Sequence, residues 1–213
     1  MLIKTIFAII LVITFNNAFA ETIGERIASQ AEKFIGTPYD QDPIGKYVTD
    51  KKIIDDDKVD CMYLVYRCTE LALAKNQQQA ITIALDKRFI HEGIIQDNVV
   101  INYDDRFQYG EDMIASGKFG HEIIGSPFST VALLKNINKP HNGDLIFFIN
   151  STEKRVKTGA EIGHLGIIEV TQNKIFLIHA HGHKDKRGGS VVKVLLRDYV
   201  KQYPFNGARI TRI

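Results

Sequence analysis

Cysteine and histidine are the side chains here that can supply a nucleophile and a proton carrier near neutral pH. Both cysteines of the chain, Cys61 and Cys68, lie in the stretch "VDCMYLVYRC". Asp60 is a strong N-cap, and Cys61, Leu64, Val65, Cys68, Leu71 and Ala72 recur with helical spacing, which predicts a helix starting at Cys61. Seven helical residues rise about 10.5 Å, whereas bridged cysteine Cα atoms lie within about 7 Å. Both cysteines are therefore expected as thiols. Cys68, in mid-stripe, reads as a small core residue. Cys61 falls where amide groups and the helix dipole favour a thiolate. By position alone it is equally well a nucleophile or a second core residue.

The histidines decide between these. Of seven, His164 opens "HLGIIEV" and His179 closes "KIFLIHA". In an antiparallel pair the start of one strand lies beside the end of the other. One histidine could then face the thiol while the second orients the first. His91, His121 and His141 have no such setting and read as solvated loop or helix residues. "HAHGH" offers another chemistry: His179, His181 and His183 alternate and would share one side of an extended strand, as a catalytic zinc site requires. Gly182 and the charged "KDKRGG" after it point instead to a strand end, with His181 and His183 in a polar turn. No metal and no cofactor is expected.

Stepping outward, "DLIFFIN", "HLGIIEV", "KIFLIHA", "SVVKVLL" and "ARITRI" are short, apolar and β-branched, and predict strands. Before them come predicted helices at about residues 22–35, 77–90 and 105–117, besides the one at Cys61. Helices first and strands later predict an α+β domain with a largely antiparallel sheet. At the N-terminus, Lys4, an apolar run from Ile6 to Phe15 and Ala18-Phe19-Ala20 read as a secretory signal peptide, residues 1–20, cut after Ala20. The run is too short for a spanning helix, which needs about 20 residues. Residues 21–213 are expected as a single exported domain, periplasmic or extracellular, with no membrane span. Loss of Lys4 takes the formal charge from +2 to +1, a balance that gives no reason to expect nucleic acid.

The pieces "GTPYD", "VDCMYLV", "NGDLIFF", "GHLGIIEV" and "FLIHA", in this order, resemble the NlpC-type, papain-like peptidases and amidases of bacterial peptidoglycan. The resemblance implies a papain-like fold, Cys61 as nucleophile, His164 as base and His179 as third polar residue. It also implies Asp60 as the acidic residue before the nucleophile and Tyr39 as the tyrosine near the sulfur. "DDRFQYGEDMIASGKFG" and "LLRDYVKQYPFNGARITRI" are similar to the family's N-acetylmuramoyl-L-alanine amidase-like branch. There Arg106 and Tyr109 match a substrate-binding R-x-H-Y segment, with Gln108 in place of histidine. Arg106 would hold a stem-peptide carboxylate or serve as an ordinary structural arginine. Met62 stands where family endopeptidases that read a free L-Ala amine carry serine. The implied reaction is thus cleavage between muramic acid and L-Ala in peptidoglycan or muropeptide fragments. The alternatives are a γ-D-glutamyl-diamino acid endopeptidase, a zinc-dependent amidase and an inactive peptidoglycan-binding module.

Overall fold

The computed structural model describes residues 20–123, 128–129, 132, 140–182, 188–203 and 205–213. The expected signal peptide, apart from Ala20, and His183 lie outside the described residues. No helix among the described residues is long and apolar enough to cross a membrane.

The first helix, α1 (Ile23–Lys33), starts at a capping box in which Thr22 Oγ1 accepts from the Glu25 amide and Glu25 reaches back to the Thr22 amide. A single turn, α2 (Lys46–Thr49), follows, then α3 (Cys61–Leu73), α4 (Gln77–Lys87) and a small hairpin of β1 (Ile95–Gln96) with β2 (Val99–Val100). The helix expected over residues 105–117 is shorter. Tyr103–Asp105 form a 3₁₀ turn, and the chain then runs extended, with Phe107 donating to the Arg88 carbonyl. Only α5 (Gly110–Ala115) is α-helical there. The polar Asp104, Asp105 and Gln108 break the apolar face a longer helix would need.

Strands β3 (His121–Glu122), β4 (Phe128–Ser129) and β5 (Leu145–Ile149) are followed by helix α6 (Thr152–Thr158), β6 (Ile162–Thr171), β7 (Lys174–Gly182), β8 (Gly189–Leu195), α7 (Leu196–Gln202) and β9 (Gly207–Arg212). His121, expected in a loop or helix, thus lies on a short exposed strand. The sheet order is β3-β9-β5-β6-β7-β8 with β4 also on β9, and every pairing is antiparallel. The architecture is α+β, an antiparallel sheet packed against helices.

Both sheet faces are covered. Leu145, Phe147, Ile149, Ile167 and Ile178 pack with α1 and α3, while Ile146, Phe148, Ile168 and Leu177 pack with Leu196, Tyr199 and Val200 of α7. That is why all five residues of β5 are buried and its sequence is apolar without alternation. Helix α3 is likewise buried nearly all round, more than its single apolar stripe implied, and carries charge inside. Glu70, fully buried, accepts from Arg88 Nε at 2.6 Å and Nη2 at 2.8 Å, and from Arg67 Nη1 at 3.3 Å. Arg67 in turn binds Asp56 at 2.7 and 2.8 Å. Two guanidiniums facing two carboxylates balance the charge and tie α3 to α4 and to the loop before α3.

Candidate active site

Helix α3 begins at Cys61, and the Asp60 carboxylate caps it by accepting from the Tyr63 amide at 2.8 Å. The backbone then fastens this helix start to the end of the sheet. Val59 donates to the Pro38 carbonyl, Asp40 donates to Val59, and Tyr39 donates to the Gly189 carbonyl at 2.9 Å. Gly189 opens β8 and pairs with Gly182 of β7. A Cβ on Gly182 would fall 2.3 Å from Cγ of Tyr39, so the ring lies in the space a side chain would occupy.

The histidines reach the same end through a hairpin. Gln172 and Asn173 both adopt positive φ, the conformation of a tight two-residue turn between β6 and β7. The resulting register runs from Thr171 against Lys174 to Ile167 against Ile178. Gly166 has no side chain beside His179; a Cβ there would stand 3.2 Å from the His179 Cβ and 2.4 Å from a Leu177 methyl. His164 leans diagonally across this gap, and its Nε2 lies 2.8 Å from His179 Nδ1.

The pair is held from α7. Tyr199, buried, has its ring centroid 4.7 Å from His179, 6.0 Å from His164 and 5.2 Å from Phe148. His179 is 1% exposed, and burial, with the charges His164 and His181 can carry, drives its pKa from 6.5 down to about 2. It stays neutral at any ordinary pH. The phenols of Tyr39 and Tyr199 are pushed far up, first by burial; a negative Cys61 adds to the effect at both. They stay protonated. Cys61 itself is half-buried.

Both cysteines are thiols. Cys68 is fully buried, and burial raises its pKa well above the ordinary thiol value. Of the "HAHGH" motif, His179 and His181 both lie on β7 with ring centroids 5.5 Å apart. Among the described residues no three His, Cys, Asp or Glu side chains gather as metal ligands. Arg106 and Tyr109 line a cavity of about 630 Å³ beside α5, whose lining includes none of Cys61, His164 and His179, and Arg106 Nη1 donates to the Tyr103 carbonyl at 3.1 Å. Sequence reasoning passed over Tyr199. Its only trace was the i,i+4 tyrosine pair in "RDYVKQY".

Neither protein-family models nor curated protein sequences match the chain. Solved structures do. A Bacteroides uniformis N-acetylmuramoyl-L-alanine amidase superposes with a TM-score of 0.64 at 21% identity, covering 89% of this chain and 98% of its own. A Bacteroides fragilis protein provisionally described as a xylanase gives 0.61 at 20% identity, covering 87% and 100%. A Legionella pneumophila protein of the DUF1460 family gives 0.58 at 18%, covering 88% of each chain. At these identities the likeness is one of fold: the chain shares the architecture of these three proteins over most of its length.

Proposed function

We propose that the chain is an exported cysteine amidase of the papain-like NlpC type, hydrolysing the amide between the lactyl group of N-acetylmuramic acid and L-Ala in peptidoglycan or its fragments. Residues 1–20 would be its signal peptide and residues 21–213 its single domain. The observation that carries this reading is the contact of half-buried His164 with buried His179 at 2.8 Å, at the sheet end to which the start of α3 is fastened. The fold is consistent with it, since the Bacteroides uniformis protein of like architecture is named for this activity.

In this reading the Cys61 thiolate attacks the lactyl carbonyl, and a C–S bond forms. Backbone N–H groups at the start of α3 receive the oxyanion, each donor contributing about 3 kcal/mol in the transition state. With Nε2 of His164 engaged by His179, Nδ1 is the atom that works. It gives its proton to the L-Ala nitrogen, the C–N bond breaks, and the stem peptide leaves as a free amine. Water then attacks the thioester while Nδ1 takes a proton, and the C–S bond breaks to release the sugar acid. His179 remains neutral throughout, with its own proton on Nε2, and accepts from His164 Nε2–H at Nδ1. That fixes the ring of His164 without removing its proton. Tyr39, which the family resemblance puts near the sulfur, stays protonated and is suited to donate towards negative charge.

Mass spectrometry of muropeptides and intact sacculi incubated with the mature protein tests the bond. The expected products are a stem peptide with a free L-Ala amine and the sugar acid. An L-Ala-D-Glu fragment still attached to the sugar would instead make the enzyme an endopeptidase.

A further inference from the structure

A cavity of about 480 Å³ opens directly beside His179, between β7, β8 and α7. Its volume suits a small ligand. The floor is apolar: Val192, cross-strand from His179, and Val194, cross-strand from Leu177, are only half-buried. Tyr199, which holds the histidine pair, forms the wall on the α7 side together with Tyr203. Exposed His181, Asp198 and Gln202 make a polar rim that offers both donors and an acceptor. Asp198 lies 3.6 Å from Arg197, which tempers its charge.

The chemistry gives this cavity a side. A general acid must reach the leaving atom, so the departing amine and what it carries lie on the histidine side of the scissile bond. The acyl group lies on the thiol side. The cavity lies on that side: His179, in contact with His164, lines it, and its wall residue Tyr199 has its ring 6.0 Å from that of His164. A peptide, with apolar side-chain carbons and alternating N–H and C=O groups, matches a valine floor with a mixed polar rim. The Tyr203 ring packs against Tyr199 with centroids 4.5 Å apart, tilted by 36°, so the two rings are partly engaged with each other instead of both being open to a pyranose.

We infer that the cavity beside His179 is the leaving-group subsite, taking the stem peptide beyond its scissile L-Ala nitrogen. The inference rests on the amidase reading and deepens it, by making the enzyme selective for the length of the peptide it releases.

The test compares two substrates on the mature protein, N-acetylmuramoyl-L-Ala and the muramyl tripeptide that continues with D-Glu and a diamino acid. Val194→Phe fills the floor and Gln202→Ala removes a rim donor. Val194→Phe should lower the ratio of kcat/KM, tripeptide over single alanine, at least tenfold, mainly through KM. Gln202→Ala, at an exposed position, should lower it about threefold or more and carries the test if Val194→Phe does not fold. A ratio within twofold of wild type in both variants overturns the inference. So does a ratio that responds to Arg106→Ala instead, which would put the peptide in the α5 cavity. If wild type turns over neither substrate, the amidase reading fails. Titration of the free tripeptide, followed by NMR, then decides the site alone. Binding weakened tenfold by Val194→Phe retains the subsite, and no binding or equal binding removes it.

Discussion

His164 Nε2 lies 2.8 Å from His179 Nδ1, and the two rings meet edge to face at 89°. A hydrogen bond at that position leaves His164 one nitrogen for chemistry and fixes which one it is. His164→Ala should lower kcat about 10²- to 10⁴-fold, the range for loss of a general acid–base. His179→Ala should leave a measurable residue of activity, because it removes orientation and not the proton carrier. His179→Asn, which can still offer an acceptor, should recover part of the loss. Steady-state kinetics on muramyl peptides check all three.

The same pair makes the fold sensitive to acid. An unfolded histidine takes up its proton near 6.5, whereas folded His179 does so only near 2. The unfolded state therefore binds more protons as pH falls, and the stability tied to neutral His179 is complete above 6.5 and lost on the way down. The slope is at most about 1.4 kcal/mol per pH unit in that window. Urea unfolding at pH 7 and pH 5 should show a smaller loss for His179→Gln than for wild type. An equal loss would place the acid sensitivity elsewhere.

The two thiols should behave differently. Cys61 is half-buried at a helix start, and Cys68 is fully buried in the core. Without reductant, the folded protein should lose activity to an alkylating reagent as Cys61 is modified, with Cys68 reacting only after denaturation. Peptide mapping distinguishes them. Cys61→Ala should abolish turnover, and Cys68→Ala should change it little. Turnover that survives alkylation but stops with a strong chelator and returns with zinc would reverse the cysteine assignment.

Tyr39 rests against Gly182, where an added Cβ would come within 2.3 Å of its ring. Gly182→Ala should therefore displace the Tyr39 ring and cost about 1–3 kcal/mol of stability, the usual range for overpacking. Activity should fall with it, about tenfold or more. Tyr39→Phe in the Gly182 background should fold normally, so comparing the two separates ring placement from the hydroxyl.

Glu70 is the sole buried carboxylate of α3, accepting from both Arg67 and Arg88. Glu70→Ala would leave buried guanidinium charge uncompensated, and a cost of about 3–5 kcal/mol is expected. Denaturant titration measures it. The variant should lose activity in step with folding, because the network supports the helix that starts at Cys61.

The start of α3 at Cys61, the thiol state of both cysteines and the antiparallel strand set were legible in the sequence. Each follows from local causes: an Asp N-cap, a helical spacing too long for a disulfide, and short β-branched runs between turns. Local pattern failed over residues 105–117, where backbone bonding to the Arg88 carbonyl replaces most of the expected helix. It also missed that Arg67 and Glu70 face inward, since one helix's periodicity does not reveal Arg88 on the next. The tertiary structure alone decided that His164 touches His179. That contact depends on the register set by the Gln172–Asn173 turn, on the empty side of Gly166, and on Tyr199 arriving from a helix that follows β7 only after β8. Spacing along a chain determines which elements form; distances between side chains on different elements depend on how those elements pair and pack.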